Sequence, residues 1–307
     1  MRITFLGNHG VSFSSEAHHA KSLESLGHEV VRLQEGKATG GEVLTEALKS
    51  DMLVVVHTHG WHTPGMPLVE VLRQLREHRI PSATYHLDLW LGLQRQRDLD
   101  TDPFYKEIDH FFTVDKLMAD WLNDHTDVHG HFLPAAVFDE DCYWTDKPSQ
   151  YANDVIFVGS RKYHPEWPWR AELIDWLHTT YRSRFTHIGP GGVKSLRGDD
   201  LNRVYQRSKV AVGDTLCLNY DYPFYTSDRY FEAPGRGGFQ IFPNIPETGW
   251  LPMPRFDFGD FHSLKTVIDR YLKDDKAREA SRRECHELVK ADHTYRNRWE
   301  TILGIVC

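Results

Sequence analysis

Three histidines close the apolar stretch "DMLVVVHTHGWHTP" at 51–64: His57, His59 and His62, at spacings of two and three. Neutral imidazoles are common zinc ligands, and zinc held by three of them activates water. The same rings can instead hydrogen-bond hydroxyl groups, while Trp61 between them offers an indole face to a sugar ring. A second reactive stretch is "YHLDLW" at 85–90, where Asp88, with His86 beside it, is the candidate general base. That role needs a titratable group within hydrogen-bond reach of the proton it removes. Trp90 closes the same stretch, and "GNHG" at 7–10 adds Asn8, His9 and Gly10. His57 joins Asp88 and His86 as a catalytic candidate. Asn8, His9, His59, Trp61 and Trp90 are candidates for bonding to or stacking on a ligand.

These groups need a scaffold that brings them together, and the alternation of elements supplies one. "RITFLG", "HEVVRLQ", "DMLVVV", "IPSATYHLD", "HFFTVD" and "VHGHFLPAAV" read as strands. Between them lie the helical stretches "SSEAHHAKSLESLG", "GEVLTEALKS", "MPLVEVLRQLREHR" and "KLMADWLNDH". Ser14 or Ser15 is suited to cap the first helix and Gly27 to end it. Strands apolar on both faces that alternate with helices predict a parallel sheet wrapped by helices. Ligands of such sheets bind at the carboxyl ends of the strands, where "GNHG", "HTHGWH", "YHLDLWLG" and "TVDK" all fall. A polar, Pro-containing stretch, "DEDCYWTDKPSQYAN", places a boundary near 139–153. A second series follows, with "DVIFVGS", "RFTHIG", "KVAVGD" and "FQIFPN" as strands. "SDRYFEAPGRGG" reads as a helix ending at glycines, and 263–293 as helical throughout.

The bulk properties exclude several classes. At 307 residues and 40% hydrophobic, the chain can bury sizeable cores, and its length suggests two domains of about 150 residues each. A formal charge of −8 argues against a generally basic nucleic-acid coat but leaves room for a local basic groove. "MRITFLGNHG" carries no basic-then-apolar leader. No run approaches the roughly 18 apolar residues of a membrane span. Cys142, Cys217, Cys285 and Cys307 show no paired spacing, which reads as a reduced, cytoplasmic protein without a disulfide framework.

The second half carries ordered motifs: "DVIFVGS", "LNRVYQRSKVAVGD", "TSDRYFEAPGRGGFQIFPN" and "HTYRNRWETIL". Together they resemble the sugar-nucleotide-binding half of GT-B glycosyltransferases, nearest to the group-one-like branch that includes the spore-maturation CgeB-type proteins. The resemblance covers about residues 154–303. It implies two facing Rossmann-like domains, an acceptor domain at 1–140 and a donor domain at 141–290. A closing helix at 291–307 would pack back on the first domain. It further implies transfer of a hexose from a nucleotide diphosphate sugar, UDP-glucose first, to an acceptor hydroxyl, with no metal or other cofactor.

By the same resemblance Glu232 accepts hydrogen bonds from the donor ribose. Arg161 and Lys162 would neutralise the donor diphosphate, whose negative charge grows as it leaves, and the loop with Gly10 would lie against the donor phosphates or the acceptor. The free N–H groups of a helix start at Ser227, Asp228 and Arg229 suit the same diphosphate, and Gly189 would bring backbone close to the nucleotide. Relatives carry a second glutamate eight residues before Glu232, and here Phe224 stands there. The expected acceptor is a glycan or small molecule, held by Asn8, His9, His59, Trp61 and Trp90. DNA is the alternative, as for phage-type enzymes acting on a hydroxymethylated base, with "LQRQRD" at 93–98 as local basic charge. A non-catalytic nucleotide-sugar-binding module is a further alternative. A zinc hydrolase using His57, His59 and His62 is another, but the metallo-β-lactamase-type run has Asp before its third histidine, where Trp61 stands.

Overall fold

The computed structural model describes residues 1–56, 63–88, 98–162, 168–215 and 224–307. The chain divides into two compact units, Met1–Pro134 with Tyr295–Cys307, and Ala135–Thr294.

The first unit runs β1 (Arg2–Gly7), α1 (Ser15–Ser25), β2 (Glu29–Gln34), α2 (Gly40–Ala47), β3 (Met52–Val55), α3 (Leu68–Glu77), β4 (Ser82–His86), α4 (Asp98–Thr101), α5 (Phe104–Glu107), β5 (His110–Thr113), α6 (Lys116–His125) and β6 (His129–Phe132). Among the described residues its strands form one six-stranded sheet in the order β2-β1-β3-β4-β5-β6, parallel at every pairing. The order reverses between β1 and β3, which makes their carboxyl ends the switch point. Ser14 caps α1 by accepting from the Ala17 N–H at 3.0 Å, and a Thr39–Glu42 capping box opens α2. Leu68, Val71, Leu72 and Leu75 of α3 repeat at helical spacing and bury against Leu6, Leu53, Val55 and Phe111.

The second unit runs β7 (Val155–Val158), α7 (Trp169–Tyr181), β8 (Phe185–Ile188), α8 (Gly198–Arg207), β9 (Val210–Val212), α9 (Arg229–Gly235), β10 (Gln240–Pro243), β11 (Arg255–Phe256), α10 (Phe261–Lys273) and α11 (Asp275–Asp292). Its described strands form a five-stranded parallel sheet in the order β11-β10-β9-β7-β8. Here the reversal lies between β7 and β9. Val155, Phe157, Leu173, Leu177, Ile241 and Leu264 fill one face, and Ile156, Ile188, Leu201, Val204 and Ala233 the other.

Helix 263–293 is not continuous as expected. Asp274 leaves helical geometry, at φ −104° and ψ 81°, and its carboxylate accepts from the Ala277 N–H at 2.9 Å. A short acidic side chain that offers the backbone its own acceptor ends one helix and starts the next. β11 was not expected either, since its two residues are too few to show a period.

The last helix, α12 (Tyr295–Val306), returns to the first unit. Trp299 is fully buried there and its indole N–H donates to His19 Nδ1 at 3.1 Å. The His19 ring stacks on Tyr295 with centroids 3.9 Å apart. Arg298 and the Tyr85 hydroxyl both donate to the Pro134 carbonyl, at 2.7 and 2.6 Å. Burial pushes His19 from 6.5 down to about 3, so it stays neutral and its Nδ1 lone pair remains an acceptor.

The unfolded chain takes up that proton below about pH 6.5 while the folded chain does not. Stability therefore falls as pH drops from 6.5 toward 3, by up to about 1.4 kcal/mol per pH unit from this group. Replacing His19→Gln keeps an acceptor for Trp299 and removes the titration. The expected result is a shallower decline of melting temperature between pH 6.5 and 4 than in the unaltered protein, followed by circular dichroism.

Candidate active site

In the second unit the loops after β7 and β8 are stitched together. The Gly159 N–H donates to the Ile188 carbonyl at 2.9 Å and the Arg161 N–H to the Pro190 carbonyl at 3.0 Å. His187, kept neutral by burial, donates from Nε2 to the Gly159 carbonyl at 2.7 Å. Gly189 sits at φ +129°, and a Cβ there would lie 2.5 Å from the Gly159 carbonyl oxygen. Its lack of a side chain is what lets the two loops touch.

Charged groups gather above this floor. Arg161 points back along α7, where its guanidinium forms a two-pronged pair with Asp175. Lys162 beside it is exposed and has no ion pair among the described residues. Arg229, at the start of α9, lies across the end of β7 and donates from Nε to the Val158 carbonyl at 3.1 Å. Asp228 stands 3.9 Å from its guanidinium. Ser227 is buried; its hydroxyl donates to the Asp214 carbonyl at 3.2 Å and its N–H to Thr215 Oγ1 at 3.0 Å. It therefore anchors the segment to the end of β9 instead of capping α9.

Glu232 lies one turn into α9, with a quarter of its side chain exposed. Its Oε1 accepts from Arg236 Nε at 3.2 Å. That arrangement leaves Oε2 able to accept from a hydroxyl. Gly237 follows at φ +80°, beyond the end of α9, which is the left-handed conformation common after a helix end.

In the first unit, Asn8, His9 and Gly10 follow β1. The Gly10 N–H donates to Gln34 Oε1, so it already has an acceptor. Asn8 Oδ1 lies 3.5 Å from Gln34 Nε2. His9 donates from Nε2 to the Phe5 carbonyl at 3.0 Å, and burial lowers its basicity. Beneath this loop Glu16 is also desolvated, which raises its pKa, and its Cγ would lie 2.9 Å from a Cβ at Gly7. His86 ends β4 almost fully buried against Phe111, whereas Asp88, two residues on, is half-buried. His86 is thus enclosed within the sheet end, and Asp88 is the more accessible of the two. His57, His59, Trp61, His62 and Trp90 lie outside the described residues.

Sequence reasoning did not single out Arg170, Asp214 or Arg236. Arg170 of α7 donates from Nε to Asp214 Oδ2 at 2.7 Å, with both side chains essentially fully buried just past β9. Their 44-residue separation leaves no local signal; the only hint is the aspartate that ends "KVAVGD". Removing one partner of such a pair leaves the other charge desolvated and uncompensated. Arg170→Met is expected to destabilise the second unit by about 3–5 kcal/mol, read as a lower urea midpoint by circular dichroism. Asp175→Asn, on the exposed face of the same helix, is expected to change stability by less than about 1 kcal/mol.

Residues 165–304 match the model of a family described as glycosyl transferase-like. No curated protein matches the chain. Among solved structures, an alpha-glucosyltransferase in complex with UDP-glucose and DNA containing an abasic site is similar at a TM-score of 0.71 and 13% identity, covering 100% of this chain and 99% of that one. HepE of Anabaena in complex with UDP-glucose gives 0.67 and 14%, over 99% and 100% of the two chains. The BGT of phage T4 in complex with its UDP-glucose substrate gives 0.64 and 12%, over 100% and 99%. The chain therefore has the GT-B fold of two Rossmann-like units, and its segment 165–304 carries the likeness to the glycosyl transferase-like family.

Proposed function

We propose that the protein is a hexosyltransferase of the CgeB-type branch, moving a sugar from a uridine diphosphate sugar, UDP-glucose first, to an acceptor hydroxyl in the cytoplasm. The observation that carries this reading is the family match over 165–304, which spans the elements bearing Arg229 and Glu232. The full-length likeness to enzymes bound to UDP-glucose supports the same donor.

In this reading the second unit holds the donor and the first holds the acceptor. Glu232 accepts from the ribose hydroxyls. Lys162 and Arg229 face the diphosphate, while Arg161, already paired with Asp175, holds the loop that presents Lys162. Asp88 takes the proton of the acceptor hydroxyl as its oxygen bonds to the anomeric carbon. The bond from that carbon to the diphosphate oxygen breaks, and UDP leaves with the electron pair. A base in that role gives inversion at the anomeric carbon.

A glycan or small molecule is the first acceptor to try. A hydroxymethylated base in DNA is the second reading, favoured by the likeness to the glucosyltransferase whose complex contains DNA. Incubation with a panel of nucleotide sugars is expected to give a melting shift and slow UDP release with one donor. No shift with any donor would overturn the transferase reading. With that donor, Glu232→Gln is expected to raise the donor KM about tenfold or more, the worth of a hydrogen bond to a charged group. Asp88→Asn is expected to lower kcat by about 10²–10⁴ with KM little changed. Retention of anomeric configuration in the product, seen by NMR, would remove Asp88 from the base role.

A further inference from the structure

We infer that Arg236 is a positioning residue for the donor: it fixes the Glu232 carboxylate in the orientation that accepts the ribose hydroxyls. The inference rests on the donor reading of Glu232 given above.

Three of the guanidinium's contacts come from separate segments. Arg236 Nε donates to Glu232 Oε1 at 3.2 Å, Nη1 to Asn202 Oδ1 at 2.7 Å, and Nη2 to Asp141 Oδ2. Asp141 belongs to a one-turn helix at Asp139–Asp141, Asn202 to α8, and Glu232 to α9. Asn202 in turn donates from Nδ2 to the Asp141 carbonyl at 2.8 Å. Gln206 of α8 donates to the Arg236 carbonyl at 2.8 Å, which fixes the backbone as well.

The Arg236 side chain is only 5% exposed, and that of Glu232 is 25% exposed. The arginine is therefore too enclosed to meet a diphosphate itself. Among the described residues it is the hydrogen-bond partner of the Glu232 side chain. A planar fork held at both Nη atoms cannot swing without breaking those bonds. Its Nε–H then meets one carboxylate oxygen from a fixed direction and leaves the other to accept from a ligand. A glutamate on a free surface rotates about three bonds, and ordering it on binding costs affinity. Arg236 removes most of that cost beforehand.

The test compares binding of UDP and 2′-deoxy-UDP by calorimetry in the full chain, because only ribose contacts separate these two ligands. The unaltered protein is expected to prefer UDP by about tenfold or more, and Glu232→Gln to abolish that preference. Arg236→Met is expected to bring the ratio close to one while 2′-deoxy-UDP still binds. Asp141→Asn, which preserves volume and loosens only the far anchor, is expected to lower the ratio in part. It stands in for Arg236→Met should that variant fail to fold. Variants at 236 and 141 that weaken both ligands alike, with the ratio unchanged, would overturn the inference and leave the Glu232 reading intact. No preference in the unaltered protein, or an undiminished one in Glu232→Gln, would overturn the ribose reading and this inference with it.

Discussion

Parallel strand pairing is the constraint on which the rest of the structure depends. A parallel neighbour is reached only through a crossover, so the amino ends of all strands point one way and their carboxyl ends the other. In each unit one loop set therefore collects along one edge of the sheet. Where the winding direction reverses, two neighbouring loops part and leave a crevice. The winding reverses between β1 and β3 in the first unit and between β7 and β9 in the second. Of the described segments, 7–10 follows β1 in the one, and 159–162 and 213–215 follow β7 and β9 in the other. Asn8 and His9 follow one of these strands, and Arg161 and Lys162 another, because each lies just past a strand's carboxyl end.

Building a polar edge on an apolar sheet has an electrostatic cost, and the second unit meets it with paired, buried charges. Arg170 with Asp214, and Arg236 with Asp141 and Glu232, each set a buried guanidinium against carboxylate. Such pairs add little net stability over apolar packing, because desolvation offsets most of the attraction. What they provide is direction: a planar fork with fixed acceptors allows one arrangement of the segments it joins. The tight approach of Gly159 and Gly189 acts in the same sense through backbone alone.

The alternation of strands and helices was legible in the sequence because it is a local pattern, whereas a returning last helix was expected only from the resemblance. "RITFLG" and "DVIFVGS" announce their strands, and Ser14 announces its helix. Glu232 stood out only as part of an ordered set of motifs. The pairs that organise the site were not legible. Asp141 and Arg236 are 95 residues apart, and nothing in either neighbourhood differs from an ordinary surface charge. Ser227 sits one residue before Asp228 and reads as a cap, yet its hydroxyl is drawn to the end of β9 by tertiary packing. Asp274 shows the reverse case: its type carried the helix break, but the strong helical pattern on both sides masked it.

The first unit is discontinuous, since the chain leaves it at Pro134 and re-enters at Tyr295. During vectorial synthesis this inverts the usual order, in which domains complete from the N-terminus onward. The first sheet emerges early but lacks α12, and His19 waits 280 residues for the indole that closes over it. The second unit, contiguous from Ala135 to Thr294, has all its residues available before that closure. The unit that starts first thus waits for α12, and the nascent chain carries an open apolar face around Phe5 and His19 until that helix is released. Loss of Tyr295–Val306 would accordingly be felt some 280 residues away around His19, as an incomplete first unit and a substrate for chaperones and proteases.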